Sequence, residues 1–268
     1  MTTILAVSEQ VMGDAIQMAR FLPLLLDRCD TLAVQCHASL VKLFQRQARE
    51  RWMVLPMEAE PPEHDLWIGF MSLPAYLGTT LETLPPPADF DVMRYVTRYE
   101  IWRRKADGGM EGPEYLAAAP HHIALCTKGG AVASLDKDRS DHTGQLATLT
   151  RLDGLEWVDF TSRTGDWLDT AHELATCDLL ISVDSALAHL AGSLSVETWL
   201  VPPTHFEHRW SPPDVLVKNG VRPDGCFWYP NHTLYWREHT NDWPGVTQRI
   251  RQDLERRINA SIGPVHGH

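Results

Sequence analysis

The sequence lacks any apolar run of the roughly twenty residues that a bilayer-spanning helix needs. Its first residues carry neither a basic cluster nor a long apolar segment. Its five cysteines are scattered and form no C-x-x-C pair, which is typical of reduced thiols. Positive charge is also scarce, with 24 Lys and Arg against 35 Asp and Glu and a net charge of −11. We therefore predict an unprocessed cytoplasmic protein whose overall charge opposes non-specific binding to nucleic acid or anionic lipid.

Short apolar runs alternate along the chain with segments of helical periodicity, and this alternation predicts strands and helices in turn. In the first half, runs at 4–7, 32–36 and 53–55 predict strands, whereas 15–26 and 38–48 predict helices. The segment 56–87 is rich in proline and acidic residues, so it predicts a loop with one strand within 66–73.

A second series of strands and helices follows the glycines and the proline at 108–113. It comprises predicted strands at 123–127, 156–160, 179–183 and 199–202 and predicted helices near 146–149, 167–175, 186–194 and 246–258. Such repetition predicts parallel sheets with right-handed crossovers. We therefore predict an α/β protein with two Rossmann-like βαβ domains that face each other across a cleft, over residues 1–115 and 116–268.

The most informative segment joins the apolar strand at 179–183 to a helix of small residues through Asp184 and Ser185. The first N–H groups of such a helix lack partners within it and lie at the positive end of its dipole, so they can bind a diphosphate. Ser185 can add a hydroxyl donor, and Asp184 can cap the helix or bind a hydroxyl. The plainer interpretation is that both residues only cap the helix and that His189 is a core histidine.

The run Ser182-Val183-Asp184-Ser185-Ala186-Leu187-Ala188-His189-Leu190-Ala191-Gly192 resembles the donor-site motif of glycosyltransferase family 9, which contains the ADP-heptose heptosyltransferases. The likeness is closest to the relatives found behind TPR repeats. It extends in order along nearly the whole chain, through Gly13-Asp14 with Gln17, Arg20 and Pro23, then Met71 to Pro74, Asp136 to Ser140, Gly165 to Ala171, and a tail that pairs Arg209-Trp210 with Trp228-Tyr229-Pro230.

This resemblance implies the GT-B fold and an inverting transfer, in which an acceptor hydroxyl attacks the anomeric carbon opposite the leaving nucleotide diphosphate. It implies a nucleotide sugar as donor and neither a metal nor a cofactor. Asp136 and Asp138 have the D-x-D spacing of metal-dependent transferases, but they stand outside that fold's context, and we predict no metal site. The acceptor stays open between a glycan or lipid core, a protein and a modified DNA base, with nucleic acid not favoured by the acidic charge.

Two residues are implied to act directly on the transfer. Asp14 follows the first strand and matches the position of the family's proposed catalytic carboxylate, where it takes the acceptor proton. Lys128 lies in the loop after the strand at 123–127 and resembles the lysine that reaches the donor phosphate. The alternatives are that Asp14 only caps a helix beginning at Ala15 and that Lys128 is a solvated loop lysine.

The resemblance also implies which residues line the donor and the acceptor. On the donor side, Arg139 and Ser140 face the diphosphate or sugar, while Asp166 and its neighbours border the nucleoside, although capping alone also explains Asp166. The donor-side candidates are Thr127, Lys128, Arg139, Ser140, Asp166, Trp167, Asp184, Ser185, Ala186 and His189. The acceptor-side candidates are Gln17, Arg20, Ser72, Arg94 and Arg98. The last two belong to a basic and aromatic stretch at 94–105, which equally fits a solvated helix face.

A second hypothesis belongs to another functional class. A degenerate member of the same fold would bind a nucleotide or its sugar without transferring it, and would serve as an adaptor. Retention of Asp14 together with the donor motif argues against this alternative, because a module that only binds has no use for the base.

Overall fold

Two parallel β-sheets organise the computed structural model, which describes residues 1–92, 121–130, 136–163, 165–204, 210 and 225–262. The first sheet uses only residues before 92 and the second only residues after 121. Every pair of neighbouring strands is parallel, as the strand–helix alternation predicts. The predicted domain boundary at 115–116 lies outside the described residues.

The first sheet has the strand order β3-β2-β1-β4. Its strands are β1 (Thr3–Val7), β2 (Thr31–Cys36), β3 (Trp52–Pro56) and β4 (Leu66–Gly69). The two central strands are the most buried, which is why they appear in the sequence as unbroken apolar runs. The strand predicted within 66–73 ends early, because a 3₁₀ helix (Phe70–Ser72) and the short helix α4 (Leu73–Tyr76) follow Gly69.

The helix predicted over 15–26 is interrupted. It consists of α1 (Met12–Met18), a 3₁₀ turn (Ala19–Phe21) and α2 (Leu22–Leu26). Pro23 stands in the first turn of α2 and has no N–H, so it cannot bond the carbonyl four residues earlier. The helix predicted over 38–48 is a 3₁₀ turn (Ala38–Leu40) that continues as α3 (Val41–Gln47).

The second sheet has the order β6-β5-β7-β8-β9. Its strands are β5 (His122–Cys126), β6 (Glu156–Asp159), β7 (Leu179–Val183), β8 (Glu197–Val201) and β9 (His232–Leu234). Its helices are α5 (Asp136–Arg139), α6 (Trp167–Leu174), α7 (Ala186–Ser193) and α8 (Trp243–Ile262), with a 3₁₀ helix (Leu146–Arg151) where a helix was predicted. Strand β9 and helix α5 were not predicted.

The apolar core reaches across both sheets. One cluster of buried side chains contains Ile4 and Ile16 from the first half together with Ala124 and Leu187 from the second. A separate cluster seats α8 on the second sheet through residues 243, 246, 250 and 254, whose spacing puts them on one helix face. Among the helices of the described ranges, none has the length and apolar character needed to cross a bilayer.

Candidate functional site

Helices α1 and α7 pack directly on each other, and we call their contact the helix junction. A Cβ atom at Gly13 would lie 3.0 Å from Cδ2 of His189 and 3.3 Å from Cα of Ala186. Only a residue without a side chain fits there without displacing its neighbours. Because Asp14 follows Gly13 and Ser185 precedes Ala186, the predicted base and the predicted donor motif meet at this junction.

The amino terminus of α7 is formed as the sequence predicts. Ser185 is its N-cap, and its Oγ accepts from the N–H of Ala188 at 3.4 Å. The hydroxyls of Ser182 and Ser185 lie 3.1 Å apart. Ser185 therefore caps α7, whereas Asp184 stands outside the cap. The N–H groups of the first turn still point along the helix axis toward the residues before it, which is the geometry that binds anions.

Arg139 lies beside the start of α7. Its Nη1 is 3.7 Å from Oδ2 of the buried Asp184, and its Nη2 donates to the carbonyl of Gly130 at 2.9 Å. Its Nε is buried and has no hydrogen-bond partner among the residues that the structure describes. A Cβ atom at Gly129 would lie 2.9 Å from the carbonyl oxygen of Asp184, so the 127–130 loop also touches this point. Arg139 thus offers an unused N–H and a positive charge near the α7 terminus.

The other predicted loop residues mainly hold the loop together. Ser140 Oγ accepts from the N–H of Gly129 at 3.0 Å, and the N–H of Thr127 donates to Thr161 Oγ1 at 3.0 Å. Lys128 is exposed on the same loop. The sequence analysis missed Asp141, whose buried carboxylate accepts from the N–H groups of residues 143, 144 and 146. The D-x-T-G spacing, an Asx-turn pattern, is the signal that identifies it.

Asp166 and Trp167 connect the two halves of the chain. Asp166 caps α6, accepting from the N–H of Leu168 at 2.8 Å, and its other oxygen lies 3.0 Å from Lys42 Nζ. Burial raises the pKa of this carboxyl, but the hydrogen bonds from Lys42 and Leu168 and the Lys42 charge outweigh it, so the pKa is lowered. The Trp167 indole N–H donates to Met12 Sδ at 3.0 Å. The capping interpretation of Asp166 is confirmed.

Asp14 lies in the first turn of α1, which begins at Met12. The alternative that Asp14 caps a helix beginning at Ala15 is therefore wrong, because Val11 holds the N-cap position. Asp14 is 4% exposed. A carboxylate in the first turn interacts favourably with the positive end of the helix dipole.

Two acceptor-side candidates, Gln17 and Arg20, are buried on the same helix segment. Arg20 donates to the carbonyls of Gln17, Pro85 and Trp228 at 3.1, 3.2 and 3.1 Å. Its guanidinium lies 5.1 and 5.0 Å from the ring centroids of Trp228 and Tyr229, and burial lowers its pKa. Arg20 therefore connects the segment after α1 to the second half of the chain.

Of the remaining acceptor-side candidates, Ser72 is exposed at the end of its 3₁₀ helix. Arg94 and Arg98 lie outside the described residues. Asp138 of the D-x-D pattern accepts from the N–H and hydroxyl of Thr204 and lies 3.1 Å from Arg237 Nη2. Across the described ranges, no three His, Cys, Asp or Glu side chains gather as metal ligands.

His189 belongs to a buried stack of rings behind α7. Its Nδ1 is 3.1 Å from the hydroxyl of Tyr229, and its ring stacks on Trp210 at 5.0 Å. His232, which the sequence analysis missed, stacks on Tyr229 at 4.9 Å and bonds the carbonyl of Ala188 through Nε2 at 3.1 Å. Burial lowers the pKa of His232 to about 3. The core interpretation of His189 fits this packing.

A surface depression of about 660 Å³ lies elsewhere on the first half. It is lined by Thr3 and by residues 61–65. These residues lie at or before the amino ends of β1 and β4, which is the edge of the sheet opposite to the start of α1. Its lining includes Glu63, His64 and Asp65 but none of the predicted site residues, and we place the candidate site at the helix junction.

No protein-family model and no curated protein matches this sequence. Solved structures do match it. The iron-containing dodecameric glycosyltransferase TibC from enterotoxigenic E. coli superimposes with a TM-score of 0.56 at 12% identity, over 97% of this chain and 76% of that one. E. coli ADP-heptose LPS heptosyltransferase II gives 0.55 at 12% identity, over 98% and 100% of the two chains.

A third match is a glycosyl transferase of family 9 from Veillonella parvula, with a TM-score of 0.54 at 11% identity over 96% of this chain and 97% of that one. The iron and the dodecameric assembly are properties of TibC. At these identities the likeness concerns the fold. The chain therefore has the α/β fold, with parallel sheets, that these glycosyltransferases share.

Proposed function

We propose that this protein is an inverting, metal-independent glycosyltransferase of the GT-B type. Residues 1–115 would form its acceptor-side domain and residues 116–268 its nucleotide-sugar domain. The observation that carries the proposal is the approach of Gly13 to Ala186, because it brings the start of the Asp14 helix to the start of the donor-motif helix. The shared fold supports it, since TibC has also been solved in complex with ADP-D-β-D-heptose, at a TM-score of 0.55.

The donor diphosphate would lie at the amino terminus of α7. The first-turn N–H groups before Ala188, the hydroxyl of Ser185 and the charges of Arg139 and Lys128 would surround it. The buried, unpartnered Nε of Arg139 supports this placement because it is a donor that the protein itself leaves unused. In this proposal these groups stabilise the charge that develops on the leaving diphosphate, a role that other transferases give to a divalent metal.

Asp14 would act as the general base. The acceptor hydroxyl gives its proton to the Asp14 carboxylate while its oxygen forms the bond to the anomeric carbon. The bond from that carbon to the diphosphate oxygen breaks, and its electron pair leaves with the diphosphate. Attack from the face opposite the leaving group inverts the anomeric centre. The first-turn position of Asp14 supports the role, because it places the carboxylate next to Gly13, where α1 meets the start of α7.

The other candidate residues are assigned in this proposal to the donor or to the acceptor. We place Thr127, Asp166 and Trp167 on the nucleoside side and Ser140, Asp184 and His189 around the diphosphate and sugar. Gln17, Arg20, Ser72, Arg94 and Arg98 are placed on the acceptor side. The transferred sugar would be of hexosyl or heptosyl type and the acceptor a hydroxyl of a glycan, lipid core, protein or modified DNA base. None of the five cysteines, all of which the structure describes, forms a disulfide, and this supports a cytoplasmic location.

The test is release of nucleoside diphosphate from a panel of nucleotide sugars with and without EDTA, using wild type, Asp14→Asn and Lys128→Ala. We expect release from one donor that survives EDTA and falls by about 100-fold or more in Asp14→Asn. Thermal stabilisation by the diphosphate should persist in Asp14→Asn and weaken in Lys128→Ala. The exposed pair Asp27→Asn and Arg28→Ala are charge-matched controls.

The adaptor function remains the second candidate, because Asp14 is only 4% exposed when α1 and α7 are in contact. Binding of a nucleotide sugar without turnover, in the presence of every acceptor class, would establish that alternative. An absence of both binding and turnover would refute the donor site at α7.

A further inference from the structure

Gln17 is a buried amide that the described part of the chain leaves without any hydrogen-bond partner. Its exposure is 0%, and both Nε2 and Oε1 lack a partner. Buried amides are almost always paired, because an unpaired one destabilises the fold. Gln35 shows the ordinary arrangement, since its buried Nε2 donates to the carbonyls of Met57 and Ala59 at 3.2 and 2.8 Å. Burial alone therefore does not explain Gln17.

The position of Gln17 on its helix explains it better. Gly13 lies four residues before Gln17 and Asp14 three before, so the three share one face of α1, and Arg20 follows on the adjoining 3₁₀ turn. Gly13 contacts α7, and Arg20 reaches the carbonyl of Trp228. Gln17 thus lies between the two points where the second half of the chain closes on this face.

Two polar side chains of the second half contact the residues on either side of Gln17. Tyr229 lies under the Arg20 guanidinium at 5.0 Å, and its hydroxyl is 3.1 Å from His189 Nδ1. His189 in turn touches the position of Gly13. Gln17 therefore lies between Gly13 and Arg20, which both contact the second half of the chain, and one helical turn from Asp14.

We propose that Gln17 binds a sugar hydroxyl, either of the transferred sugar or of the accepting one, and so helps to determine substrate specificity. The inference rests on the proposed transfer at Asp14, because the amide lies beside that residue. A carboxamide donates through Nε2 and accepts through Oε1, which matches a hydroxyl that does both. The two sheets share no strand pairing, so substrate enters when the contacts between the halves open.

The first test is thermal unfolding of Gln17→Met, a substitution of similar volume. If the amide serves a ligand, its removal relieves two unpaired buried atoms, and Tm should rise by a few degrees. Gln35→Met is the matched control and should lower Tm, because the carbonyls of Met57 and Ala59 lose their donor. A fall of Tm in Gln17→Met comparable with the control would show that the amide is structural and would overturn the proposal.

The second test is steady-state transfer by the same variants with UDP-glucose, ADP-glucose and GDP-mannose, beside affinity for UDP, ADP and GDP. We expect Gln17→Met to lower kcat/KM about tenfold or more while binding the bare diphosphate as wild type does. A raised KM for the nucleotide sugar identifies the transferred sugar, and a raised KM for the acceptor alone identifies the accepting one.

Different results would refute the role of Gln17 and the proposed transferase activity. Wild-type transfer that survives unchanged in Gln17→Met refutes the role of Gln17 and leaves the transferase intact. Absence of transfer by wild type with every donor refutes the transferase itself, and the hydroxyl-binding role with it.

Discussion

Gly13 lies against His189 so closely that a Cβ atom at Gly13 would be 3.0 Å from His189 Cδ2. The same atom would be 3.3 Å from Cα of Ala186, which is backbone and cannot rotate away. The distance between α1 and α7 therefore depends on the absence of a single methyl group.

Gly13→Ala should lower the free energy of unfolding by about 1 kcal/mol. Two effects oppose each other, since alanine favours a helix over glycine by about 1 kcal/mol, whereas crowding a packed interface costs about 1–3 kcal/mol. We expect the cost of crowding to exceed the gain in helix preference, because one of the two contacted atoms belongs to the backbone. Urea denaturation monitored by circular dichroism measures the difference.

Gly225→Ala is the control, because a Cβ atom there would have no neighbour within 4 Å. It should leave the unfolding free energy nearly unchanged. If Gly13→Ala proved neutral or stabilising, α1 and α7 would have to stand further apart in solution than they do here.

Asp166→Ala should destabilise the protein more than Lys42→Ala does, although the two residues form one ion pair. Lys42 is 65% exposed, so water and salt screen its charge and losing it should change the free energy of unfolding only slightly. Asp166 also caps α6, and the loss of a cap costs about 1 kcal/mol. Chemical denaturation of both variants at pH 7 gives the comparison, and equal losses would contradict the assignment of the cap.

The lowered pKa of Asp166 adds a pH dependence to this prediction. Its stabilising contribution is fully present above the ordinary value of 3.8 and is lost as pH falls through the lower folded value. The difference in unfolding free energy between wild type and Asp166→Ala should therefore shrink below pH 4.

The strands with long apolar runs could be predicted from sequence to within a residue or two. Strand β7 (Leu179–Val183) is buried along its whole length, so its five apolar or small residues stand out. Strand β9 (His232–Leu234) escaped prediction because three residues with one aliphatic side chain carry no periodic signal. The break between α1 and α2 depends on one missing N–H, at Pro23, within an apolar pattern that otherwise continues.

The local parts of the site could also be predicted, whereas its long-range contacts could not. Ser185 and Asp166 cap helices that begin one residue later, which follows a short-range rule. Arg20 bonds the carbonyl of Trp228, 208 residues away, and no local pattern connects the two. The same is true of the Trp167 indole and Met12, which are 155 residues apart.

His232 should make the protein less stable as pH falls below 6.5. Its Nε2 donates to the carbonyl of Ala188, so protonation would place a second proton on Nδ1, which is buried without a partner. Burial lowers the folded pKa from 6.5 to about 3, so between these values the unfolded state binds the extra proton. The free energy of unfolding should fall by about 1.4 kcal/mol per pH unit on this account.

The measurement compares urea denaturation of wild type and His232→Gln from pH 7 to pH 4. Glutamine keeps a donor for the carbonyl of Ala188 but does not titrate, so the difference between the two curves isolates His232 from every other ionisable group. We expect the advantage of wild type over the variant to shrink steadily as pH falls through this window. A difference that stays constant from pH 7 to pH 4 would mean that His232 is hydrated or partnered in solution, and that the ring stack behind α7 is looser than the structure has it.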